Sequence, residues 1–98
     1  MNIQAMMKQA QQLQNKMLTE KKAIDEHKYE GKSSNVTITM TGDKKVCDVK
    51  FDLDEITNDD IEMLQDMVML AFNDASSQID KDTNEKLGKY SQGMPGLF

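Results

Sequence analysis

Two helical stretches in this sequence are too long for the compact body that a chain of this size would form. Residues 2–27 contain no glycine or proline and are rich in residues that favour helix. A second helical pattern covers residues 57–87. The helices would be about 39 and 45 Å long, whereas a compact chain of 98 residues is about 32 Å across. We therefore expect an elongated molecule with projecting helix ends.

The first helix carries a narrow apolar seam with heptad spacing, of the width that packs on one neighbouring helix. The seam residues are Ile3, Met6, Ala10, Leu13, Met17 and Ile24. Polar Glu20 and His27 occupy the later seam positions, so the seam weakens toward the end of the helix.

The second helix has both a start signal and a stop signal. Thr57 and Asp60 are spaced as in a capping box, with aspartate in place of the usual glutamate. A continuous apolar stripe follows, formed by Ile61, Leu64, Val68, Phe72, Ala75 and Ile79. Gly88 is a natural stop. Residues 88–98, which include Gly93, Pro95 and Gly96, are expected to form a flexible tail.

Residues 29–52, between the helices, change to a two-residue period. Val36, Ile38 and Met40 alternate with threonines, as in a half-buried strand. After a turn at 42–45, Cys47, Val49 and Phe51 form the apolar side of the next strand, and Cys47 is expected to be a small core residue. Residues 29–32 could add a short third strand. These patterns predict an α+β fold, helix–sheet–helix, with a small antiparallel sheet of two or three strands in a single domain covering 1–98.

Composition indicates a second copy of the chain and a reducing compartment. Leucine, isoleucine, valine and phenylalanine supply 20 of 98 residues, a thin core that a dimer would enlarge. The single cysteine excludes an intramolecular disulfide. No signal peptide and no membrane-length apolar segment are apparent. We expect a cytoplasmic homodimer with no membrane partner.

The net charge of −5 is unevenly distributed along the chain. Residues 1–50 contain nine lysines and six acidic residues, whereas residues 51–98 contain three lysines and eleven acidic residues. The first helix carries Lys8, Lys16, Lys21 and Lys22, which suit phosphate contacts or an ordinary solvated helix face. The sequence contains no arginine, the preferred bidentate reader of guanine.

A second group of lysines, Lys81, Lys86 and Lys89, lies near the end of the second helix. Lysine at this position is favoured by the negative end of the helix dipole, which explains these residues without a ligand. They would equally extend a basic surface at a projecting helix tip.

Catalytic and metal-binding patterns are missing from the sequence. The acidic residues of 52–66 do not fit a calcium loop, because Thr57 and Met63 occupy its glycine and glutamate positions. His27 and Cys47 could form a nucleophilic pair only if the fold brought them together. Asn73 and Asp74 are expected to have structural roles. We expect no enzyme activity, no metal or other cofactor, and no small-molecule substrate.

Four segments resemble the YbaB/EbfC family of bacterial nucleoid-associated proteins. They are MMKQAQQLQNKM at 6–17, VTITMTGDKKVCDVKFD at 36–52, EMLQDMVMLAFNDA at 62–75 and GMPG at 93–96. The chain departs from the family in lacking arginine and a glycine-rich N-terminal leader. The resemblance implies a tweezer-like homodimer whose paired helices project, with DNA as its partner and the cytoplasmic nucleoid as its location.

Non-enzymatic binding of duplex DNA by backbone contacts is therefore the expected function, with possible roles in nucleoid organisation and gene regulation. The alternative is a dimeric protein–protein adaptor linked to DNA repair or replication, which would use its methionine-rich helix faces. A salt-dependent titration with duplex DNA separates these alternatives.

Overall fold

The computed structural model describes residues 2–91, and the side chains of residues 2–90. Within this part of the chain the elements are α1 (Ile3–Glu26), β1 (Lys28–Ser33), β2 (Val36–Thr41), β3 (Val46–Phe51) and α2 (Ile61–Ser91). The strands pair in an antiparallel sheet of order β1-β2-β3. The α+β class is confirmed, and the short strand expected near Tyr29 is present.

The molecule is elongated, as the two helix lengths predict. Its principal extents are 71 × 18 × 15 Å, and its radius of gyration is 19.4 Å. A compact chain of this length would have a radius of gyration of about 13 Å. In α1 every side chain of residues 3–16 is exposed, and we call this stretch the α1 arm.

Helix α1 is tied to the rest of the molecule at its C-terminal end. Its start is capped by the side-chain oxygen of Asn2, which accepts a hydrogen bond of 3.3 Å from the Ala5 N–H. Among the described residues of α1, Met17 and Ile24 are buried. They belong to the same core cluster as Leu87 and Tyr90 of α2. The predicted seam is therefore buried at the base of the helix and exposed along the arm.

The predicted cap of the second helix is present, but it precedes a short 3-10 turn at Asn58–Asp60. The Thr57 N–H and hydroxyl both donate to the same carboxylate oxygen of Asp60, at 2.9 and 3.1 Å. Regular α-helix then begins at Ile61, four residues after the predicted start.

The predicted stop at Gly88 is wrong, because α2 continues through it to Ser91. Leu87 and Tyr90 are buried on either side of this glycine. Their packing outweighs the cost of about 1 kcal/mol for glycine within a helix. Residues 88–91 of the predicted flexible tail therefore belong to α2, and residues 92–98 lie outside the described part of the chain.

Helix α2 lies close against the sheet over β1 and β2. A Cβ atom added to Gly31 would come within 2.0 Å of the Ala71 carbonyl oxygen and 2.5 Å of the Ala75 nitrogen. Glycine on the strand and two buried alanines on the helix allow the backbones to approach this closely. Beside this contact the side chains of Val36, Ile38 and Met40 form the buried centre of the sheet.

The sequence predicts that Cys47 shares a buried face of β3 with Val49 and Phe51, and this prediction is wrong. A β-bulge shifts the register, so that Val46 lies opposite Met40 while Val49 lies opposite Ile38. Cys47 has no partner in this register, and its side chain is exposed. Its thiol donates to the Thr39 carbonyl at 3.4 Å. All six β3 residues are exposed because α2 packs mainly over β1 and β2.

Candidate nucleic-acid interface

Three of the six lysines that form no ion pair within residues 2–90 lie on α1. In the described chain, Lys8, Lys16 and Lys22 are exposed and form no ion pair. Lys8 and Lys22 share one helix face and lie about 21 Å apart along its axis. Lys21 differs, because its ammonium group lies 3.0 Å from the Asp25 carboxylate one turn later.

The lysines near the end of α2 are placed differently from one another. Lys86 pairs with Asp82 at 3.2 Å, and Lys89 reaches Glu20 of α1 at 3.5 Å. Lys89 also lies over the Tyr90 ring, 5.1 Å from its centroid. Lys81 is exposed and has no ion-pair partner among residues 2–90. Two of these three ammonium groups are therefore held in structural contacts, whereas the third faces solvent.

A polar junction just after the end of α1 is made by His27, Tyr29 and Asp82. The Tyr29 hydroxyl donates a hydrogen bond of 2.5 Å to the Asp82 carboxylate. The His27 ring packs edge-on against Tyr29, with 4.8 Å between ring centroids. Burial, followed by the nearby Asp82 carboxylate, raises the pKa of Tyr29. The Tyr29 hydrogen bond is the main cause that lowers the pKa of Asp82.

A second polar contact between the helices lies nearer the arm. The Tyr90 hydroxyl and one carboxylate oxygen of Glu20 are buried without a hydrogen-bond partner in the described chain. Burial, with the Glu20 carboxylate as the next cause, raises the pKa of Tyr90. The other Glu20 oxygen is held by Lys89. The Lys89–Glu20 contact therefore joins α1 to α2, whereas the Tyr29–Asp82 hydrogen bond joins β1 to α2.

The outer face of the sheet carries lysines that sequence reasoning missed. Lys32, Thr37 and Lys50 lie side by side in the strand register, and Lys28 is exposed at the start of β1. The alternation of charged residues with Tyr29 and Gly31 along β1 could have revealed this face. The next row contains Glu30, Thr39 and Asp48, so the charges on this face alternate in sign.

A cluster of acidic residues lies at the opposite end of α2. This helix has 31 residues, so its ends lie about 46 Å apart. Asp59, Asp60 and Glu62 lie at its start, whereas Lys89 near its end contacts α1. The α1 arm itself contains Lys8 and Lys16 and no acidic residue. The arm is thus free of acidic residues, although Asp80, Asp82 and Glu85 lie in the last part of α2.

Within residues 2–90, the side chains considered for a metal site or for a nucleophilic pair do not come together. No group of three or more His, Cys, Asp or Glu side chains in that range is placed to hold a metal ion. The His27 ring packs on Tyr29, and the Cys47 thiol donates a hydrogen bond to the Thr39 carbonyl. Within residues 2–90, no hydrogen bond joins His27 to Cys47. The expected structural role of Asp74 is confirmed, since its carboxylate accepts a hydrogen bond from the Lys32 N–H at 3.0 Å.

Fold and charge together define a small α+β protein that projects a basic helical arm from an acidic body. Comparison with known sequences identifies the family more closely. The model of the YbaB/EbfC DNA-binding family matches residues 1–94. The chain belongs to this family, which confirms the resemblance carried by its sequence motifs.

The chain is similar to nucleoid-associated proteins of several bacteria. It is 44% identical to one from Ligilactobacillus salivarius over 99% of this chain and 95% of that protein. Identity is 43% with one from Enterococcus faecalis, over 98% of this chain and 94% of the other. One from Lactobacillus acidophilus is 46% identical over 96% of this chain and 86% of its own length. In the part of the chain that the structure describes, no helix is long and apolar enough to cross a membrane.

Proposed function

We propose that this chain is a non-enzymatic nucleoid-associated protein that binds duplex DNA through the phosphate backbone, with α1 as the contact surface. The observation that carries this proposal is an exposed arm with unpaired lysines and no acidic residue. Each lysine that neutralises a phosphate releases a condensed counterion, so binding is favoured at low salt. Without arginine, sequence preference is broad. The site of action is the cytoplasmic nucleoid, with roles in nucleoid organisation and gene regulation.

The seven candidate lysines contribute unequally in this proposal. Lys8, Lys16 and Lys22 are the main contacts, and Lys81 extends the surface from α2. Lys21, Lys86 and Lys89 each lie within 3.5 Å of a carboxylate. Because those carboxylates offset part of their charge, these three lysines contribute less to phosphate binding.

A homodimer completes the proposal, and the two edges of the sheet indicate where it forms. The β1 edge is occupied by α2 side chains. Asp74 accepts from the Lys32 N–H, and Gln78 donates to the Glu30 carbonyl at 2.7 Å. Along the outer edge of β3 no strand partner is present in the described chain. Open strand edges pair readily with other strands, so β3 is the edge on which a second copy adds.

Apolar side chains beside β3 support the same interface. Val49 and Phe51 are 46% and 43% exposed, and Ile61 and Phe72 on the adjoining helix are 47% and 40% exposed. Phe51 lines a shallow groove of about 370 Å³ together with Ile61 and Val68. A contiguous apolar surface of this kind marks a protein interface. Two-fold pairing would cover it on both copies and would double the number of basic arms.

The test is the salt dependence of duplex binding in two lysine variants of equal charge. One replaces Lys8, Lys16 and Lys22 with glutamine, and the control replaces Lys28, Lys32 and Lys50. The arm variant should bind more weakly and with a shallower slope of log K against log salt, by about 0.9 for each phosphate that is no longer neutralised. The control should retain most of the affinity and slope of the unmodified protein. Equal losses in both variants, or unchanged binding by the arm variant, would rule out α1 as the contact surface.

A protein–protein adaptor is the second candidate, and one observation favours it. Met63, Met69 and Leu70 of α2 are exposed by 42%, 56% and 57%. Methionine-rich surfaces adapt to varied partners. If the protein shows no binding to duplex DNA even at low salt, the DNA proposal is overturned and the adaptor is favoured.

A further inference from the structure

The turn between β2 and β3, residues 42–45, lies directly against the last turn of α1. A Cβ atom added to Gly42 would come within 1.8 Å of the Ile24 carbonyl oxygen and 2.9 Å of the Ile24 Cγ2 atom. The Gly42 N–H also donates a hydrogen bond of 3.1 Å to the carbonyl of His27, the residue that follows the helix. Gly42 therefore contacts the end of α1 with its backbone and leaves no room there for a side chain.

We propose that Gly42 is a positioning residue of the DNA interface, because its lack of a side chain sets the angle at which the α1 arm leaves the body. This inference rests on the proposed function, since it concerns the helix to which the phosphate contacts are assigned. It adds a requirement of geometry to the requirement of charge. The lysines must be present, and the helix must hold them in a fixed place.

The arm acts as a lever on any movement at the base of α1. Every side chain of the α1 arm is exposed, whereas Met17 and Ile24 at the base are only 4% and 3% exposed. Lys8 lies about 24 Å from Ile24 along the helix axis. A tilt of about 10° at Ile24 would move Lys8 by about 4 Å, more than the length of about 2.8 Å of an ammonium–phosphate hydrogen bond. A small change beside Gly42 is therefore enlarged at the lysines of the arm.

The turn is fixed on its other sides, so a side chain at position 42 acts on α1. The Thr41 N–H donates to the Lys45 carbonyl at 2.9 Å, and the Lys44 N–H donates to the Thr41 carbonyl at 2.8 Å. The ammonium group of Lys44 lies 2.7 Å from the Asp80 carboxylate of α2. These contacts hold the turn to its own strands and to α2, whereas the α1 arm is exposed throughout. We therefore expect a methyl group on Gly42 to displace α1.

A fixed angle matters because the proposed dimer has two arms and duplex DNA is stiff. The persistence length of the duplex is about 150 base pairs, so a short site stays nearly straight. Two arms contact such a site together only if their separation matches it, and otherwise the gain from simultaneous binding is lost. A flexible single strand can follow a displaced arm. A change at Gly42 should therefore weaken duplex binding more than single-strand binding.

The distance between two spin labels in the full chain tests the positioning directly. The labels are attached at Gln11→Cys on the arm and Ser77→Cys on α2, both exposed positions, in a chain that also carries Cys47→Ser. Labelled chains are diluted into excess unlabelled protein, so that only distances within one chain are measured. This chain should give one narrow distance, which Gly42→Ala should shift or broaden. The matched control is Gly88→Ala, whose added Cβ atom meets nothing within 4 Å and should leave the distance unchanged.

Three outcomes of the distance measurement overturn the proposal. One is a broad distance before any change at position 42, and another is the same distance in Gly42→Ala and Gly88→Ala. The third is a Gly42→Ala chain that fails to fold by circular dichroism, because Gly42 would then be needed for the whole fold and not for the angle of the arm.

Binding to a duplex and to a single strand of the same length tests the consequence for DNA. Gly42→Ala keeps every lysine, so its single-strand affinity should stay close to that of the unmodified protein. Its duplex affinity should fall by at least about tenfold as simultaneous contact by both arms is lost. A loss of folded protein would lower both affinities in the same proportion, so their ratio separates positioning from stability. The same ratio in Gly42→Ala and Gly88→Ala overturns the positioning role. If the unmodified protein binds neither DNA, the proposed function fails, whereas the spin-label distances still show whether Gly42 fixes the arm.

Discussion

The hydroxyl of Tyr29 in β1 donates a hydrogen bond of 2.5 Å to the carboxylate of Asp82 in α2. Lys86 reaches the same carboxylate from one helical turn further along, at 3.2 Å. Asp82 therefore connects the first strand to the second helix close to the place where α1 ends.

Replacing Tyr29 with phenylalanine should lower the free energy of unfolding by about 1.5 kcal/mol, the lower end for a hydrogen bond to a charged group. The effect is small for an ionised acceptor because the Asp82 side chain is 22% exposed and water can replace the lost donor. Urea unfolding at neutral pH measures the change. A variant as stable as the unmodified protein would show that this hydrogen bond does not stabilise the junction.

Acid should remove the contribution of Asp82. Its pKa in the folded protein lies below the ordinary value of 3.8, chiefly because of the Tyr29 hydrogen bond. The resulting stabilisation is complete above pH 3.8 and is lost as the pH falls through the folded pKa. The stability difference between the unmodified protein and Asp82→Asn should therefore shrink below pH 3.8. A difference that stays constant down to pH 2 would contradict the shift.

Alkali should act on the other partner of the same hydrogen bond. The pKa of Tyr29 is raised above its ordinary value of 10.0, first by burial and then by Asp82. A raised pKa stabilises the protonated folded state below pH 10.0, and that stability decreases as the pH rises further. Unfolding measured from pH 9 to 11 should show a steeper loss for the unmodified protein than for Tyr29→Phe. Tyr90 is present in both proteins and cancels in the comparison.

Two glycine-to-alanine substitutions should change stability in opposite directions. Gly31→Ala places a methyl group 2.0 Å from the Ala71 carbonyl oxygen, so α2 must move away from the sheet. We expect a loss of about 1–3 kcal/mol in the free energy of unfolding. Gly88→Ala meets no atom within 4 Å and should stabilise the helix by about 0.5–1 kcal/mol. Thermal unfolding of the two variants, measured side by side, checks both signs.

The proposed β3 interface predicts a change in mass without a change in fold. Val49→Lys puts a charge at a position that is 46% exposed in the single chain, so the protomer should still fold. Light scattering should show the mass of two chains for the unmodified protein and of one chain for Val49→Lys. The control is Lys50→Gln, whose side chain points to the opposite face of the sheet. Retention of the dimer by Val49→Lys would place the interface elsewhere.

Much of the fold is predictable because it depends on neighbours within a few residues. Helix α1 lacks breakers and has a heptad seam, the Thr57–Asp60 pair caps the turn before α2, and alternation along Val36–Met40 predicts β2. The same local reasoning finds the lysines of α1. It does not reveal that Lys21 is paired and Lys22 is not, because that difference depends on side-chain conformation.

What the sequence alone determined was the order and approximate length of the helices and strands and the separation of a basic first half from an acidic second half. Only the tertiary structure decided that α2 continues through Gly88, that a bulge leaves Cys47 exposed, and that Lys89 reaches Glu20 across 69 residues. The physical reason is that periodicity and caps specify which side of an element is apolar. Packing between distant segments then decides which apolar side is covered and which remains open for a partner.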